Sequence, residues 1–158
     1  MQITWNDLMV PFDQETSQEL LEDWTWLVGN DKTPVLITST GDLFLTDEEN
    51  RIYWLNVGEG VLELVAATDS EFQGKLNDIE QVRDWFLTDL VAEIKRSGKE
   101  LSEGKVYSYI KLPVLGGGYT ADNFTLTDIV VHFALAGQIH KQIKDLPDGT
   151  RVNFTLKE

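Results

Sequence analysis

Residues Pro34 to Ala66 read PVLITSTGDLFLTDEENRIYWLNVGEGVLELVA, and this stretch decides the fold. Four short runs, PVLITS, DLFLT, RIYWLNV and VLELVA, are rich in the β-branched and aromatic residues that suit a pleated surface. They are separated by Ser39-Thr40-Gly41, Asp47-Glu48-Glu49-Asn50 and Gly58-Glu59-Gly60, connections of only a few residues. Parallel neighbours need a crossover of a dozen residues or more, so such short links predict an antiparallel meander.

Outward from the meander the periodicity becomes helical. Upstream, Thr16-Ser17-Gln18-Glu19 has the form of a capping box, with Leu20, Leu21, Trp24, Leu27 and Val28 at helical spacing up to Gly29-Asn30. Downstream, Asp78 is a cap for a second helix whose apolar stripe runs through Ile79, Val82, Phe86, Leu90 and Ile94 to a stop at Ser97-Gly98. VYSYIKL, from Val106, reads as a further strand. A third helix carries Phe133, Ala136, Ile139, His140 and Ile143 and ends near Asp145; its start is open, because DIVVHF fits a helix or a strand. The expectation is one α+β domain over residues 1–158, a mostly antiparallel sheet of four or five strands with about three helices covering one face.

The chain of 158 residues carries a formal net charge of −14. The first 90 residues hold 19 acidic and 4 basic side chains, the remainder 8 and 9, so the acidity belongs to the first part. A surface so negative repels phosphate backbones and anionic lipid, which argues against nucleic-acid and membrane partners, and it speeds encounter with a basic protein. No run approaches the length of a membrane span, and the N-terminus has no basic segment followed by an apolar one, so the chain is read as soluble and cytoplasmic. There are no cysteines, which excludes disulfides, thiolate nucleophiles and cysteine zinc sites.

Candidate chemistry is sparse. Gly116-Gly117-Gly118 invites comparison with phosphate-binding loops, but no lysine and hydroxyl follow as a P-loop requires. The relaxed dinucleotide pattern through Ala121 lacks its acidic residue some twenty positions on. A bend that glycine tolerates is the favoured reading. His132 and His140 are eight residues apart, too far to clamp one metal, although Asp128 and His132 could form an acid/base pair one helical turn apart. A small-ligand sensor or enzyme built on Gly116, Gly117, Gly118, Asp128 and His132 is therefore the alternative function. No catalytic residue, cofactor or metal is assigned. Glu22 and Asp23, beside Trp24 and Trp26, and Asp47, Glu48, Glu49 and Glu59 in the turns are the candidate partner-binding carboxylates.

Two longer stretches resemble a known family: Glu22 to Ala66, and more specifically Tyr109 to Val152, with LPVLGGGY and HFALAGQIHKQIKDLPDGT the distinctive strings. They are similar to the C-terminal domain of type VI secretion immunity proteins of the Tdi kind, whose founding member neutralises a co-encoded DNase. Members often carry an N-terminal GAD-like segment; some 20 residues precede the similar region here. The resemblance implies a non-catalytic protein that binds and occludes a toxin with a basic surface. It supplies no motif for the contacting residues, and the oligomeric state stays open.

Overall fold

A computed structural model describes residues 2–156. The four runs form β2 (Thr33–Thr38), β3 (Leu43–Thr46), β4 (Ile52–Asn56) and β5 (Val61–Ala66), each antiparallel to the next. A two-residue strand that the sequence did not announce, β1 (Met9–Val10), pairs with β2 through Met9↔Thr38 and Val10↔Ile37 and completes a five-stranded sheet in the order β1-β2-β3-β4-β5. Pro34, which has no N–H to give a ladder, sits where the β2–β3 register shifts.

Leu43, Phe44 and Leu45 are all fully buried. Because successive strand residues face opposite ways, β3 is covered on both sides, not on the single face expected. The Phe44 face receives helices α4 (Asp69–Lys75) and α5 (Ile79–Phe86), whose Phe72, Trp85 and Phe86 rings lie 5.1, 5.1 and 5.9 Å from the Phe44 ring. A short α1 (Trp5–Leu8) joins them, with Trp5 edge-on to Phe86 at 5.4 Å.

The helices are more broken than periodicity suggests. Among the described residues seven α-helical segments replace the three expected. In the first region the cap is Asp13, which accepts from the Thr16 amide at 2.7 Å and opens α2 (Gln14–Glu19). The chain then tightens into a 3₁₀ turn, Glu22–Trp24, before α3 (Thr25–Val28) ends at Gly29 with φ 81°. Tertiary docking overrides the helical spacing here. Trp24 is fully buried and its indole donates to the Phe133 carbonyl at 2.8 Å.

Asp78 caps the second region as expected, accepting from the Glu80 amide, but Leu87 adopts a left-handed conformation (φ 52°, ψ 51°) and divides α5 from α6 (Thr88–Arg96). The break lets Trp85 and Phe86 face Phe44 while α6 buries Leu90, Val91 and Ile94; Ile79, the first residue of the expected stripe, is exposed. VYSYIKL supplies β6 (Lys105–Tyr109), which pairs antiparallel with β7 (Phe124–Asp128) in a separate two-stranded sheet. Asp128 then caps α7 (Ile129–Ile143), accepting from the Val130 amide at 3.0 Å, so DIVVHF turns helical at once.

Candidate functional site

Helix α7, about 22 Å long, lies against the end of the meander where the β2–β3 and β4–β5 turns emerge. Both histidines are spent there. His132 places Nε2 2.8 Å from the Gly41 carbonyl and Nδ1 2.6 Å from Ser108 Oγ. A carbonyl only accepts, so Nε2 carries the proton and Nδ1 accepts from the serine. His140 Nε2 donates in the same way to the Val57 carbonyl at 2.7 Å. Each ring sits on a glycine of positive φ, Gly41 at 85° and Gly60 at 70°, where a Cβ would collide with the imidazole. Burial pushes the His132 pKa down to about 4 and lowers that of His140 as well, so both are neutral fasteners between α7 and the turns. Asp128 caps the helix that carries His132 and makes no hydrogen bond to it.

The glycine run is a stapled bend. Gly116 takes φ 97° after the 3₁₀ turn Pro113–Leu115, and a Cβ on Gly117 would strike the Lys111 carbonyl. The Gly116 and Gly117 amides donate to the Pro113 and Leu112 carbonyls, at 2.9 and 3.0 Å. Asn123 clamps the loop from within, its Nδ2 donating to the Lys111 and Gly118 carbonyls at 2.9 and 2.8 Å. A phosphate cradle needs outward-pointing amides, and two of these three point inward. The bend instead delivers Tyr119 to the β4–β5 turn, where its hydroxyl donates to Glu59 at 2.7 Å.

Beneath Tyr119 lies a cavity of about 230 Å³ lined by Asp42, Trp54, Asn56, Asp84, Leu87, Tyr109 and Tyr119. Its construction follows from the pleat. Asp42 and Phe44 share one face of the sheet with Trp54 and Asn56 across the ladder, and α5 packs on that face with Asp84 and Leu87 at its C-terminal end. Asp42 accepts from the Val57 amide at 2.9 Å and from the Trp54 indole at 3.2 Å. Only 3% of its surface is exposed, and desolvation pushes its carboxyl up to about 7 against the pull of those donors. Tyr109 and Tyr119 meet edge to face at 6.0 Å, and burial raises both hydroxyls above the ordinary range. Sequence reading placed Asp42 at the head of the DLFLT run and gave it no role. Its position two before Phe44, on the same strand face, was the available signal.

The six candidate carboxylates do not form one patch. Asp47 is buried: its oxygens accept from the Glu49 and Arg51 amides, Arg51 Nε and the Tyr53 hydroxyl at 2.7–3.0 Å. Burial alone would raise its pKa, but those donors, the Arg51 side chain foremost, bring it to about 2. Asp47 therefore holds the β3–β4 turn, with its oxygens engaged inside it. Glu48 and Glu49 are exposed at that turn, and Glu59 is exposed at the opposite end of β4, about 17 Å away. Glu22 is exposed on the 3₁₀ turn, while Asp23 is half-buried, its backbone pressed against Gly137 of α7. Among the described residues no three His, Asp or Glu side chains gather as a metal-binding group, and no helix is long and apolar enough to cross a membrane.

Residues 66–140 match the family model "T6SS immunity protein Tdi1, C-terminal". The match supports the resemblance read from the sequence. It takes in α4, α5, α6, the small sheet, the glycine loop and α7 as far as His140, and leaves most of the meander outside. No curated protein matches the chain. Among solved structures, the chain is similar to one described as the crystal structure of Atu4351 from Agrobacterium tumefaciens, with a TM-score of 0.57 and 15% identity. That likeness covers 77% of this chain and 64% of the other, and at such identity it shows the fold alone.

Proposed function

We propose that this chain, which shares residues 66–140 with the Tdi1 C-terminal family of type VI secretion immunity proteins, is a non-catalytic immunity protein that binds and occludes a protein toxin. The family match carries the proposal. Charge supports it independently, because a nuclease presents a basic surface to hold phosphate and a carboxylate-rich partner competes for that surface with fast, steered association. Work against an injected toxin places the protein in the cytoplasm, with neither nucleic acid nor membrane as its own ligand. Both histidines are consumed by structural hydrogen bonds and two of the three glycine amides face inward, so most of the groups the enzyme or nucleotide alternative would use are engaged elsewhere.

The exposed carboxylates available for contact are Glu22, Glu48, Glu49 and Glu59, with Asp23 half-buried and Asp47 set aside. Charge reversal at the two ends of β4 tests this. Glu48→Lys with Glu49→Lys, and separately Glu59→Lys, should each be titrated against the toxin at low ionic strength. The end that faces the toxin loses roughly tenfold in association rate and part of its salt dependence. Unaltered rates for both variants would remove these carboxylates from the interface.

A further inference from the structure

The cavity under Tyr119 contains an acid with no counter-charge. Asp42 makes no ion pair among the described residues, and no basic side chain lines the space. A buried, unpaired carboxylate is costly unless something neutralises it. Tyr109 is 9% exposed, lines the cavity, and its hydroxyl makes no hydrogen bond among the described residues. Asp84, from α5, adds a second carboxylate at the mouth. The remaining walls are largely aromatic: the Trp54 ring, tied by its indole to Asp42, and the tyrosine pair, of which Tyr119 is anchored by Glu59.

Carboxylates among aromatic rings are the chemistry that selects an organic cation over a hydrated metal ion, because the rings attract a diffuse positive charge and replace its loosely held water. An anion would be repelled by both carboxylates and would find no basic side chain. The space falls below the 300 Å³ or so of an ordinary small-molecule pocket, which suits a single head group. Leu87, held in the left-handed region at the cavity wall, is the kind of strained residue that gathers at binding sites. We propose that this cavity binds an organic cation, the alkylammonium or guanidinium head of a lysine- or arginine-like group, between Trp54, Tyr109 and Tyr119 with Asp42 and Asp84 as counter-charges.

The site stands apart from the toxin reading, since a chain that took up such cations and bound no toxin would still possess it. The experiment titrates the isotopically labelled full chain above pH 7, where Asp42 is ionised, with n-butylammonium and ethylguanidinium chlorides, following the Trp54 indole N–H by NMR, with n-butanol as the neutral control. Saturable binding in the millimolar range is expected for the cations and not for butanol. Asp84→Asn and Tyr119→Ala alter exposed side chains that can be changed without unfolding the core, and each should weaken binding at least severalfold; Asp42→Asn should abolish it. Tighter binding of a lysine- or arginine-bearing peptide than of the free head group would assign the cation to a protein, and the reverse order to a small metabolite. No saturable shift up to about 100 mM, an equal response to butanol, or equal affinity in wild type and in the Asp84 and Tyr119 variants would overturn the proposal.

Discussion

At the scale of single residues, Asp42 and His132 are two buried titratable groups whose effects on stability run in opposite directions. The Asp42 carboxyl is raised from 3.8 to about 7, so its contribution is fully present below about pH 4 and is lost as pH climbs toward 7. His132 is lowered from 6.5 to about 4, so its contribution is present above about pH 6.5 and is lost as pH falls toward 4. Where the two windows overlap they offset each other. Asp42→Asn should remove the first slope: measured by urea unfolding from about pH 4 to pH 7, wild type should lose stability relative to the variant by up to roughly 1.4 kcal/mol per pH unit. A constant difference across that range would mean the carboxyl is not desolvated as described. The glycines under the histidines give a second test. Gly41→Ala and Gly60→Ala each force a Cβ into an imidazole at positive φ and should cost roughly 3 kcal/mol or more, whereas Gly98→Ala, at φ 95° with nothing within 4 Å, should cost only the backbone strain, about 1–2 kcal/mol. Equal costs at all three would show that the histidine contacts do not constrain the turns.

At the scale of elements, the glycine loop and α7 hold the cavity in place. Gly117→Ala would drive a side chain into the Lys111 carbonyl and should dislodge Tyr119 from Glu59, while Gly118→Ala, whose nearest neighbour is Thr120 Oγ1 at 3.5 Å, should be silent. Tyr119 ring shifts in NMR spectra of the two variants check this, and matching spectra would contradict the stapled-bend description. The meander was legible because alternation and short polar turns are local signals, and Asp78 and the stripe of α7 were legible for the same reason. The subdivided helices were not. What breaks the first is the burial of Trp24 against a carbonyl 109 residues away, and what breaks the second is the demand that adjacent Trp85 and Phe86 both reach Phe44. The cavity was hidden for a similar reason: Asp42, Asp84 and Tyr119 come from three elements, and none looks unusual in its own stretch of sequence. Asp47 shows the converse case, an acid in an acidic turn that reads as surface and is buried by four hydrogen bonds.

At the scale of the whole molecule, the uneven charge is a statement about encounter rather than about folding. The acidic first part forms the meander and its flanking helices, and the matched region from residue 66 supplies α7 and the loop that cover one end of it. Glu59 and Tyr119 meet where the two parts join, which makes that end the more informative place to look for a partner. A protein that acts by occupancy neutralises its target in fixed proportion, and one that acts by turnover does not. The direct measurement is therefore a titration of purified chain against the activity of a candidate type VI secretion toxin. The account predicts that activity falls linearly and ends at an equimolar ratio with a stable complex; full protection at far below equimolar amounts, or undiminished toxin activity in excess of the chain, would contradict it.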